Sequence, residues 1–205
     1  MTDFAKRTRL SYRFTFLIFY VCFVWLEAAA QETWKIDAGH SSIQFSVDHL
    51  VVSEVTGKFE QFEGTIIQDG NDFSSARISG QIEVSSINTG NTKRDDHLIQ
   101  DDFFQASVHP SITFSSRKIS EISDGNYEII GDLTIKGITK EVHFQVIKNG
   151  TVEFYGQVKS GIKATCTIDR FDFGLNWNSL LETGGAVVGK EIRITLTLEI
   201  VREGN

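Results

Sequence analysis

Glu191-Ile192-Arg193-Ile194-Thr195-Leu196-Thr197-Leu198-Glu199-Ile200-Val201 alternates apolar and polar residues almost to its end. Ile192, Ile194, Leu196, Leu198 and Ile200 share one phase, and Glu191, Arg193, Thr195, Thr197 and Glu199 the other. Successive strand side chains point to opposite faces, so this phase means one buried face and one wet face. The same period recurs upstream in Ser42–His49, Val55–Ile67, Phe73–Ile87, Ser111–Lys118, Asn126–Ile135, Lys140–Ile147 and Thr151–Ile168. Eight such segments joined by short turns predict an all-β chain, an eight-stranded antiparallel barrel. A barrel of that size either fills itself with side chains or holds one small ligand, so its interior decides its function.

The phase slips once. Phe59 and Phe62 are three apart, which predicts a bulge near Glu60-Gln61. Asn149-Gly150 between two alternating runs predicts a two-residue type I′ hairpin, and Asp69-Gly70, Asp124-Gly125 and Lys136-Gly137 mark further turns. Asn149-Gly150-Thr151 also fits a glycosylation sequon, but its place between strands favours the turn. Two connections are longer. Residues 95–104, with acids first and Phe103-Phe104 last, predict a short capping helix. Phe171–Lys190, rich in Gly, Asn and Trp, predicts a loop over one barrel end.

The first thirty residues stand outside this pattern. A basic start (Lys6, Arg7, Arg9, Arg13), the apolar run Phe14–Leu26 and Ala28-Ala29-Ala30 predict a signal peptide over 1–30, cleaved before Gln31. Thirteen residues fall short of a ~30 Å hydrocarbon core. The expected location is periplasmic or secreted, with one domain over 31–205 and no stable membrane insertion of the mature chain. The leader takes four of the 20 basic and two of the 27 acidic residues, leaving 16 and 25. That acidic balance argues against nucleic acid as a partner. Cys166 alone remains, so no internal disulfide forms and it is expected to be a small buried hydrophobe.

None of the five histidines has metal-pair spacing, and Asp37, His40 and Ser41 make a triad in name only. No catalytic residue, metal or cofactor is expected. Alternation places Ile43, Phe45, Val47, Phe59, Phe62, Ile78, Ile82, Val84, Phe114, Leu133, Phe144, Phe154 and Leu196 on the inner wall. His49 continues the inward face of its strand to the barrel end. With Arg94, Asp95, His97, Phe103, Phe104, Arg170, Asp172, Phe173 and Trp177 it forms the candidate mouth, where Arg94 or Arg170 would neutralise a phosphate or polarise a quinone carbonyl.

Several blocks carry a resemblance. They are Asp37-x-x-His40-Ser41-x-Ile43-x-Phe45-x-Val47-x-His49, Val55-x-Gly57-x-Phe59-x-x-Phe62-x-Gly64, and Ser86-Ile87-x-Thr89 with Arg94-Asp95-x-His97-Leu98 and Asp102-Phe103-Phe104. Pro110-x-Ile112-x-Phe114-x-Ser116, Gly131-x-Leu133-Thr134-Ile135-x-Gly137-x-Thr139 and Arg170-x-Asp172-Phe173-Gly174-Leu175 continue it. Together, over residues 34–201, the chain resembles the YceI-like family of periplasmic polyisoprenoid-binding proteins. The resemblance implies a lipocalin-type barrel whose tunnel takes an isoprenoid or quinone-like lipid, without catalysis. Residues 176–185 are longer and more polar-aromatic than the family's usual run. A secreted enzyme using the mouth, a side-chain-filled barrel and a homodimer remain open on the residues alone.

Overall fold

The computed structural model describes residues 31–50, 52–177 and 187–204. Its strands are β1 (Gln31–Ile36), β2 (Ser42–His49), β3 (Ser53–Phe59), β4 (Phe62–Asp69), β5 (Asp72–Glu83), β6 (Ile87–Asn88), β7 (Ser111–Ser123), β8 (Asn126–Ile135), β9 (Ile138–Phe154), β10 (Gln157–Asp169) and β11 (Val188–Arg202). All pair antiparallel, and β1 closes the sheet against β11.

Eleven segments make eight wall positions, because three positions are interrupted. β11 carries β1 on its Ile200–Arg202 end and β2 on its Val188–Thr197 end. β4 pairs with β1 while β3 pairs with β2, and β5 pairs with β4 while β6 pairs with β3. The breaks fall side by side: the 3-10 turn Ala38–His40, then Glu60-Gln61, then the 3-10 turn Val84–Ser86. Ser86 Oγ accepts from Gln61 N at 3.0 Å, tying two of them together. The bulge expected near Glu60-Gln61 is thus part of a seam, and the eight-stranded antiparallel barrel stands. β1 begins before the first strand read from alternation, since Trp34 and Ile36 alone mark its inward phase.

One hairpin differs from expectation. β9 runs straight through Asn149-Gly150, and the chain turns at Tyr155-Gly156, with φ of +49° and +75°. Asn149-Gly150 lies instead at the register shift between Ser160 and Ile162, with Ser160 Oγ donating to Asn149 O at 3.0 Å. A bulge also suits this dipeptide, and the cross-strand pairing, invisible locally, selected it. The consequence is that Phe154 sits at a hairpin tip, 57% exposed and edge-on to Tyr155, and not on the inner wall. Phe154→Ala is therefore expected to change stability by no more than about 0.5 kcal/mol, whereas Phe144→Ala, at a buried ring, costs about 3 kcal/mol or more. Urea midpoints of the two variants check this; a comparable loss at Phe154 would refute the placement.

The capping helix also moves. α1 spans Thr92–Leu98, capped by Asn91, whose side chain accepts from Arg94 N. The acids at 95–96 drew the expected start three residues late, because the Asn91 cap precedes them. After Leu98 the chain continues in turns, with Phe104 N donating to Leu98 O at 3.0 Å. No helix of the described residues is long and apolar enough to cross a membrane. The expected signal peptide and most of the 176–185 segment lie outside the described residues. Cys166 is buried and unpaired, and burial pushes its thiol pKa up.

Candidate functional site

The inward phase of all eight wall positions faces one cavity of about 390 Å³. Ile43, Phe45, Val47, Phe59, Ile78, Ile82, Phe114, Leu133, Phe144 and Leu196 line it, as alternation placed them. Ile36, Ile66, Phe73, Ile129, Val146, Ile162, Ile192, Ile194 and Leu198 add to the wall. Two strand glycines shape the space. A Cβ on Gly57 would collide with the ring of Phe45, and one on Gly131 with that of Phe114. These rings therefore lie flat across glycines of neighbouring strands and leave the axis free. Toward one end Phe73, 2% exposed, meets Tyr127 edge-on at 5.0 Å, with Lys148 Nζ 5.6 Å from its centroid.

Three residues expected on the wall stand elsewhere. Phe154 is at the exposed tip. Val84 is 1% exposed as the first residue of the 3-10 turn that follows β5, outside the cavity lining. Phe62 follows the Glu60-Gln61 break and packs against the core without lining the cavity. The period-2 rule fails at both because the strand stops beside them.

The cationic and imidazole groups of the lining, His49, Arg94, His97 and Arg170, collect at the end carrying α1. Phe103, Phe104 and Trp177 line the same end. His97 is clasped edge-on by Phe103 at 5.2 Å and Trp177 at 5.3 Å, and its Nε2 lies 2.8 Å from Asp102 Oδ2. That hydrogen bond holds the Asp102 carboxyl below its ordinary pKa, against a smaller opposing desolvation. A lowered folded-state value means the contact stabilises above the unfolded carboxyl's range and is lost as pH falls through the lowered value. Expected, therefore, is an Asp102 titration midpoint that rises toward the usual value in His97→Asn, read by carboxyl NMR. An unchanged midpoint would remove His97 as the cause.

Arg170 is 2% exposed, lifted into place by the 3-10 turn Arg170–Phe173. Its Nε donates to Gly189 O at 2.8 Å, Nη1 to the carbonyls of Leu175 and Trp177, and Nη2 to Val188 O at 3.2 Å. It also stacks on Phe171 at 4.4 Å. Burial lowers its pKa, but a guanidinium stays charged. Arg94 is half-buried, with Nε on Thr89 Oγ1 at 2.7 Å and Nη2 on Thr89 O at 2.9 Å. Asp95 does not line the cavity; its Oδ1 accepts from Thr89 N at 2.9 Å and from Thr89 Oγ1 at 2.5 Å. Asp172 is exposed and Phe173 is 1% exposed in the core, so neither belongs to the mouth. The turn at 170–173 sends its residues in different directions, and only Arg170 reaches the cavity. Thr89 was overlooked as a site residue, although it stands in the Ser86-Ile87-x-Thr89 block.

Residues 34–200, which build this barrel, match the model of the YceI-like domain. The chain belongs to the YceI-like family. Among curated relatives, the UPF0312 protein SAS2572 of Staphylococcus aureus (strain MSSA476) is 42% identical over 168 residues, covering 81% of this chain and 95% of that protein. The UPF0312 protein SA2479 of strain N315 is 41% identical over the same length. The YCEI protein of Campylobacter jejuni superposes with a TM-score of 0.66 at 29% identity, covering 77% of this YceI-like chain and 90% of that one. BcnA of Burkholderia cenocepacia shares the fold with a TM-score of 0.68 at 22% identity, covering 80% and 98%. A polyisoprenoid binding domain from Saccharophagus degradans shares it with a TM-score of 0.61 at 14% identity, covering 82% and 97%.

Proposed function

We propose that this YceI-like protein is an exported carrier that holds one long apolar lipid, an isoprenoid or isoprenoid quinone, inside its barrel. The observation that carries the reading is the barrel cavity: its wall is predominantly apolar, and the cations and imidazoles of its lining lie at the α1 end. Binding sites of this size are mostly apolar with a few placed polar groups. An alkyl chain gains about 0.8 kcal/mol per CH₂ removed from water, so a shielding barrel lets it cross an aqueous space without chemistry. The description of the Saccharophagus domain as polyisoprenoid-binding supports the ligand class, at the level of shared fold. Export rests on the basic-apolar-Ala pattern of residues 1–30.

Organic extraction and mass spectrometry of the purified protein test the reading. A stoichiometric isoprenoid, quinone or related amphiphile is expected. Empty protein that also fails to take up such chains would overturn it. N-terminal sequencing of the exported protein is expected to begin at Gln31.

A further inference from the structure

The geometry points to an anionic head group, a phosphate or carboxylate, held on the Nη1 edge of Arg94 at the α1 end of the cavity. This rests on the lipid-carrier reading. Two guanidiniums line that end, and their hydrogen bonds distinguish them. Arg170 is committed on all three nitrogens to the carbonyls of Leu175, Trp177, Val188 and Gly189. Arg94 uses only its Nε and Nη2, both on Thr89. Its Nη1 makes no hydrogen bond among the described residues, and Arg94 forms no ion pair among them.

The neighbouring acids are otherwise engaged. Asp95 grips Thr89 N and Oγ1, so it meets Arg94 only through that hydroxyl. Asp102 takes His97, and Asp96 is exposed. Thr89 thus accepts from Arg94 Nε while donating to Asp95, a relay that fixes the plane of the guanidinium. The His49 imidazole lines the same cavity and makes no hydrogen bond among the described residues. Two uncommitted polar groups therefore face a space whose wall is apolar.

Charge decides between ligands. When a chain enters, the mouth loses water, and an unpaired cation in a dry site is costly. A neutral carbonyl or hydroxyl accepts one hydrogen bond and leaves the charge in place. A phosphate or carboxylate neutralises it and takes charge-assisted bonds, roughly twice as strong as neutral ones.

Calorimetry with the delipidated mature protein tests this, using geranylgeranyl phosphate against geranylgeraniol and palmitate against hexadecanol. The wild type is expected to bind at least one anion about tenfold more tightly than its alcohol. A gain for phosphate alone assigns a phosphate head; a gain for both pairs assigns either. Arg94→Gln is expected to erase the gain and leave alcohol binding within about twofold, and Arg94→Lys to keep part of it. Equal binding of anion and alcohol by the wild type would overturn the inference while leaving the carrier reading intact. So would equal losses for both in Arg94→Gln, since Arg94 would then only tie α1 to Thr89. If the wild type binds none of the four, the carrier reading falls first.

Discussion

Val47→Asp is expected to abolish lipid uptake, while Thr195→Asp leaves it within about twofold. The two positions lie close in the wall: Val47 pairs with Ile192 and Thr195 with Gln44, on adjacent strands. They differ in face. Val47 is 7% exposed and lines the cavity, whereas Thr195 is exposed on the outer surface. A carboxylate at 47 would be buried on the cavity face beside its strand partners Val55 and Ile192, and a buried charge shifts its pKa upward or excludes the chain beside it. The expected loss in affinity is a hundredfold or more, which corresponds to about 3 kcal/mol. Fluorescent-lipid displacement reads it, with circular dichroism verifying that both variants keep the barrel. Equal binding by the two would mean the ligand does not occupy this cavity.

Arg170→Met is expected to lower stability by about 3 kcal/mol or more, the largest effect of any single mouth residue. The guanidinium bridges the carbonyls of Leu175 and Trp177 to those of Val188 and Gly189, so one side chain binds both flanks of the chain beyond β10. Methionine fills the volume but leaves those acceptors without donors, and hydrogen bonds to a charged group contribute about 1.5–3 kcal/mol each. Arg170→Lys restores charge without the fork and is expected to recover less than half. Both variants should weaken anionic and neutral ligands by the same factor, in contrast to Arg94→Gln. Urea unfolding gives the stability; a change under about 0.5 kcal/mol would show that the flanks hold without Arg170.

The comparison of Arg94 with Arg170 shows where residue-level reading stops. Arg94 follows Lys93 and precedes two acids, and Arg170 stands between Asp169 and Phe171, but nothing local says which guanidinium keeps a free donor. Arg170 lies within a 3-10 turn that folds it under β11, while Arg94 follows an Asn cap that leaves it half exposed. Their acceptors come from residues up to 19 positions away for Arg170 and from Thr89 for Arg94. Long-range backbone positions are a product of strand closure, so they have no local signature.

What the sequence determined by itself was the barrel, the inward phase of most strands and the chemistry of the wall. Period-2 alternation is a local property, and it forces a buried face wherever a strand runs unbroken. Ile43, Phe45, Val47, Ile78, Ile82, Phe114, Leu133, Phe144 and Leu196 were legible for that reason. The tertiary structure alone decided the ends and the breaks. Phe154 moved from wall to tip because pairing with β10, and not the Asn149-Gly150 dipeptide, chose where β9 turns. Val84 and Phe62 left the lining because the seam across three wall positions interrupts their strands. Asp95, Asp172 and Phe173 left the mouth because caps and turns aim side chains by three-dimensional hydrogen bonding. Alternation carries the side-chain direction only while the ladder continues, and at each end the direction passes to contacts that closure of the barrel creates.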